Sequence, residues 1–79
     1  MKFKRDMALK DWKKKKEISS YKVWENKKNK SINMNVRRNA NTGNWQVFVT
    51  DGMIELRDLG EYDDKSYAIE EAEEYMRKN

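Results

Sequence analysis

The stretch INMNVRRNANTGNWQVFV, Ile32 to Val49, alternates in polarity with a period of two. Ile32, Met34 and Val36, then Trp45, Val47 and Val49, form an apolar set. Asn33, Asn35 and Arg37, then Asn44, Gln46, Phe48 and Thr50, form the interleaved set. Successive side chains of a strand point to opposite faces, so the pattern calls for two strands sharing one core face and one outward face. NANTGN, Asn39 to Asn44, is the turn between them, because Asn and Gly tolerate positive φ. Asp51-Gly52 is the strongest hairpin-turn dipeptide in the chain. Beyond it MIELRDL, Met53 to Leu59, reads as a third strand that ends at Gly60. Its parity is open. Ile54 and Leu56 share one side, and Met53, Glu55, Arg57 and Leu59 share the other. A β-bulge between Leu56 and Leu59 buries all three aliphatic residues, and the choice decides whether Arg57 joins the outward face.

The period then changes. Ala68, Ile69, Ala72, Tyr75 and Met76 recur at three and four residues, which predicts an amphipathic helix. Asp63 or Asp64 is its expected N-cap, and Arg77 and Lys78 sit where cations favour a helix C-terminus. Glu70, Glu71, Glu73 and Glu74 are read as its solvated face. One apolar stripe and one apolar sheet face can only be buried against each other. The expected domain, over residues 31–79, is therefore α+β: a three-stranded antiparallel sheet packed on one C-terminal helix.

Residues 1–30 read as a basic N-terminal arm, partly ordered or containing a short helix or strand. Met7, Ala8 and Trp12 make only a thin helical stripe, and Lys13 to Lys16 repel one another. SYKVWEN, Ser20 to Asn26, fits a short strand with Tyr21 and Val23 on one side and Trp24 on the other.

Charge is strongly segregated. Through Arg38 the chain carries fourteen Lys/Arg against four Asp/Glu; after it, four against ten, for a net charge of +4 over 79 residues. The basic half suits a polyanion and the acidic half repels one. The chain contains no Cys and no His. That removes disulfides, thiolate metal sites, and the commonest general base and metal ligand. Asp58, Glu61, Asp63 and Asp64 cluster in sequence, and capping at a strand–helix junction accounts for them more simply than a cation site. No enzymatic activity, metal or cofactor is expected. No apolar run approaches the ~20 residues of a membrane span, and MKFKRDMALKDWKKKK lacks a secretory h-region. A cytoplasmic protein of a bacterial or phage-infected cell is expected, with no membrane partner.

The elements Val36-Arg37-Arg38, Gly43 to Val49, Leu59-Gly60-Glu61-Tyr62 followed by Asp63 and Asp64, and Ala68 to Ala72 resemble, in order, the apetala/ethylene-response-factor DNA-binding domain. They also resemble its relatives in phage and transposon integrases and homing endonucleases. The resemblance covers roughly residues 33–77. It implies a three-stranded sheet lying in the DNA major groove by the face opposite the helix. It points to Arg37, and to the positions of Phe48, Thr50 and Asp58, which differ from the family's usual residues.

Independently of that resemblance, Arg pairs with guanine edges, and Asn and Gln with adenine edges. Asn33, Asn35, Arg37, Arg38, Gln46, Thr50 and Arg57 are thus the candidate readers. Phe48 is a candidate for stacking on an unpaired base, or alternatively part of a second small core under Trp24, Trp12 or the arm. Lys13, Lys14, Lys15 and Lys16 would contact phosphates without reading sequence. The expected function is nucleic-acid binding, DNA before RNA. The rival is a protein-interaction module, such as a phage-type inhibitor of a host or defence protein. It would act through the basic arm, exposed aromatics or the acidic helix. A third possibility is nonspecific RNA or single-strand binding through Phe48 and the lysines.

Overall fold

The computed structural model describes Leu9 and residues 11–78. The chain runs β1 (Trp12–Ile18), β2 (Tyr21–Asn26), β3 (Ile32–Arg38), β4 (Trp45–Asp51), β5 (Ile54–Tyr62) and α1 (Lys65–Lys78). The strands form one antiparallel sheet in the order β1-β2-β3-β4-β5, each hydrogen-bonded to its sequence neighbour. The expected alternation is realised in β3 and β4. Met34, Val36, Trp45, Val47 and Val49 are buried on one face, and Ala68, Ala72 and Met76 of α1 pack onto it. The helix crosses β3, β4 and β5, while Trp12 and Trp24 fill the same face towards β1 and β2.

The three-stranded sheet expected from the sequence, and with it the resemblance to the apetala/ethylene-response-factor fold, is corrected by the five-stranded sheet. Two further strands, from the tract read as a basic arm, continue it beyond β3. The lysine block lies inside β1, as neither a helix nor a free arm. Trp12 is the one buried residue of β1, and two of its lysines meet carboxylates, Lys13 across the pairing and Lys14 three residues along its own strand. Lys13 lies 3.8 Å from Glu25, and Lys14 and Lys22 lie 2.9 and 3.9 Å from Glu17. An edge strand needs no apolar alternation, so nothing in its local pattern announces it. Met7 and Ala8 of the supposed helical stripe lie outside the described residues.

β5 carries two irregularities rather than one, and they bury only Leu59 in part, leaving Ile54 and Leu56 exposed against expectation. Leu56 is extra opposite Val49 and Thr50, and Leu59 is extra opposite Val47 and Phe48. The second turns Leu59 towards the core and places Gly60 at φ +112°, so the strand passes through the glycine to Tyr62 instead of ending there. Gly52, at φ +62°, is the first residue of the two-residue Gly52-Met53 loop, and no described non-glycine residue has positive φ. That is the pattern of a II′ hairpin turn. Asp64 caps α1: its Oδ1 accepts from the Ser66 N–H at 3.1 Å and its carbonyl from the Ala68 N–H. Glu73, read as solvated, is buried beside Ala72 and Met76 in the packed stripe.

Two outcomes follow. A Cβ at position 60 would stand 3.1 Å from Tyr62 Oη in a backbone conformation that L-residues rarely adopt. Gly60→Ala is expected to lower the unfolding free energy by about 1–3 kcal/mol in urea denaturation. Burial, and then the nearby Glu71 carboxylate, raise the Tyr62 phenol above its ordinary value. The native state thus holds the proton longer than the unfolded chain does. The stability linked to it is full below the unfolded value near 10 and is lost as pH rises through the folded one. Thermal melts of Tyr62→Phe should lose less stability than the parent between neutral and strongly alkaline pH.

Candidate functional site

One face of the sheet carries α1; among the described residues no helix covers the other. Directly opposed residues of antiparallel neighbours share a face, so the register assembles this open face in rows. One row runs Lys13, Glu25, Asn33, Thr50, Glu55. The next runs Lys16, Val23, Asn35, Phe48, Asp58, and the third Ile18, Tyr21, Arg37, Gln46, Glu61. Every row ends in a carboxylate on β5. The segregation of charge seen along the sequence thus becomes a gradient across the face.

The candidate residues divide accordingly. Asn33, Asn35, Arg37, Gln46, Phe48, Thr50, Lys13 and Lys16 share the open face. Lys14 pairs with Trp24 and Arg57 with Val49, so the register puts both on the helix side. Lys15 is the extra residue of the β1 irregularity and lines a depression with Lys16, Tyr21 and Val23. Arg38 pairs with Trp45, yet its exposed side chain reaches a depression that Arg37, Gln46, Phe48 and Asp58 also line.

The amides are largely occupied. Asn35 Nδ2 donates at 3.3 Å to the carbonyls of Asn33 and Phe48 and to Thr50 Oγ1. Two N–H bonds shared among three acceptors leave none for a base edge. Asn33 Nδ2 donates to the Ser31 carbonyl at 3.3 Å, and its Oδ1 is buried without a hydrogen-bond partner. Asn35 braces β3 against β4, and Asn33 offers little reading surface.

What the face does present is aromatic and cationic. Tyr21 is directly opposed to Arg37, and Phe48 stands diagonally beyond it. Tyr21, Arg37 and Phe48 wall a depression of about 260 Å³ floored by Val23 and Asn35. Lys16 Nζ lies 5.8 Å from the Tyr21 ring centroid. Among the described residues neither Arg37 nor Lys16 forms an ion pair. Trp12 and Trp24 are buried on the helix side, so they do not form the alternative second core over Phe48; among the described residues Tyr21 and Val23 line the depression beside it. The part of the supposed arm before Leu9 lies outside the described residues.

Sequence reasoning missed Tyr21 and Val23 as site residues. Their shared parity opposite Trp24 was the available signal, hidden until β2 joins the sheet. The resemblance pointed to Asp58 on this face, but Glu55 and Glu61 beside it were missed. Asp58 Oδ1 is held locally by the Gly60 N–H at 2.9 Å, and Glu61 Oε2 across the fold by Thr42 Oγ1 at 3.2 Å. Among the described residues no cluster of three or more metal-ligating side chains is present, and no helix is long and apolar enough to cross a membrane.

No family model, curated protein or solved structure matches this chain.

Asn35 ties β3 to β4 through a part-buried amide. Asn35→Ala should lower stability by about 1 kcal/mol in urea denaturation, the net value of such bonds.

Proposed function

We propose that this chain is a non-enzymatic nucleic-acid-binding protein that engages its ligand on the open face of the sheet. The observation that carries the reading is the grouping of Arg37 with Tyr21 and Phe48, beside Lys15 and Lys16, on the face away from the helix. Stacking platforms flanked by cations are the common chemistry of sheet surfaces that hold nucleobases and phosphates. In this reading Arg37, Lys15 and Lys16 meet phosphates, while Lys13 is partly neutralised by Glu25. Binding is cytoplasmic and needs no cofactor.

A second reading has its own observation. Met53, Ile54 and Leu56 are exposed at the β4–β5 hairpin and along the outer strand, which suits a protein partner.

Titrating labelled single-stranded and duplex DNA, and RNA, at low and moderate salt separates the two. Nucleic-acid binding should weaken steeply with salt. It should fall about tenfold or more in Arg37→Ala and in the double variant Lys15→Gln/Lys16→Gln. Absence of binding to every nucleic acid at low salt overturns the first reading and leaves the β5 surface as the functional one.

A further inference from the structure

We infer that the ligand of the open face is a single strand, DNA or RNA, held by base stacking, and not a duplex read in its groove. The inference rests on the nucleic-acid reading above and narrows it by three observations.

The first is width. Neighbouring strands lie about 4.8 Å apart, so the outer strands of this five-stranded sheet are separated by about 19 Å. The major groove of B-DNA is about 12 Å wide and admits a two-stranded ribbon. A sheet this wide cannot enter it with its centre, and Phe48 lies on the penultimate strand.

The second is charge. Phe48 is directly opposed to Asp58, and Glu55 and Glu61 complete an acidic border on β5. A duplex seated over Phe48 would bring one of its phosphate backbones against that border. A single strand has only one backbone. Laid over β1 to β3, it keeps its phosphates near Lys15, Lys16 and Arg37 and turns its bases towards β4. The carboxylates then mark the limit of the path.

The third is the chemistry offered. Asn35 spends its amide donors within the sheet and Asn33 spends one on the Ser31 carbonyl, which leaves Gln46 as the open-face amide without a hydrogen bond among the described residues. One such amide is a sparse reading surface, whereas the Phe48 and Tyr21 rings are flat groups around a depression of a size to take one base. Stacking on such groups requires an unpaired base, because the faces of a paired base are covered by its neighbours. It tolerates sequence, so little discrimination among bases is expected.

The test uses fluorescence anisotropy with the full chain. The probes are a labelled oligothymidine, the corresponding oligouridine, and a blunt duplex of equal length. Both single strands should bind at least tenfold more tightly than the duplex. Phe48→Leu, on the face without the helix, should lose about tenfold in single-strand affinity while its circular dichroism stays native, and Phe48→Trp should restore it. Tyr21→Leu provides a second stacking variant if Phe48→Leu is misfolded. The triple variant Glu55→Gln/Asp58→Asn/Glu61→Gln should gain duplex binding more than single-strand binding. Duplex binding equal to or tighter than single-strand binding overturns this inference and leaves nucleic-acid binding standing. Single-strand binding unaffected by folded Phe48→Leu and Tyr21→Leu overturns the stacking mechanism. Failure of all three probes to bind at low salt overturns the underlying reading itself.

Discussion

The pairing of β3 with β4 is the constraint on which the rest of the molecule depends. Met34 opposes Val49 and Val36 opposes Val47, and all four are removed from solvent. Because side chains alternate with a period of two, sliding this pair by one residue would turn Asn35 and Phe48 inward and the valines outward. The helix has one stripe with which to cover the sheet, and Ala68 and Ala72 let it approach closely. Once that stripe is spent, the second face is left to water or a ligand. The array of exposed Arg37 beside half-buried Phe48 and Tyr21 is thus a consequence of the same register that builds the core.

Among the described residues the sheet ends at β1 and β5, and both edges are protected in recognisable ways. β1 presents consecutive lysines and an irregularity at Lys15. β5 presents Glu55, Asp58 and Glu61 and is interrupted twice. Charges and bulges at edges oppose the addition of another strand. The same charges give the open face its gradient, basic towards β1 and acidic along β5. A ligand bearing negative charge meets a surface that attracts it from one side and stops it at the other. Placed at strand edges, a single set of residues limits edge pairing and shapes the candidate site.

Much of the central fold was legible in the chain because its periods are unbroken. Ile32 to Val49 reads as two strands without knowledge of anything else, Asp51-Gly52 reads as a turn, and the spacing of Ala68, Ala72 and Met76 reads as a helix. β1 was not legible. Lys13 to Lys16 look self-repelling in isolation; Glu17 meets Lys14 within the strand, but Glu25 becomes a neighbour of Lys13 only through the β1–β2 pairing. The resemblance to a three-stranded DNA-binding domain drew on residues 33–77, the part with clear periodicity. It was silent on the tract that changes the strand count. Within the candidate site, Arg37 and Phe48 were visible by alternation. Tyr21 was hidden because its relation to them runs across strands. The helix-side positions of Lys14 and Arg57 depend on register and bulges, which no local pattern encodes.

The sequence by itself determined which residues of β3, β4 and α1 are apolar together, where the main turns fall, and that cysteine and histidine chemistry is absent. These are properties of short windows, set by side-chain period and backbone preference. Only the tertiary structure decided that the sheet has five strands, that Asn35 spends its amide donors on its neighbours, and that carboxylates border Phe48. Each of these depends on which strand lies beside which, and strand pairing joins residues that are distant in the chain. The site follows from adjacency, and adjacency is a property of the folded sheet.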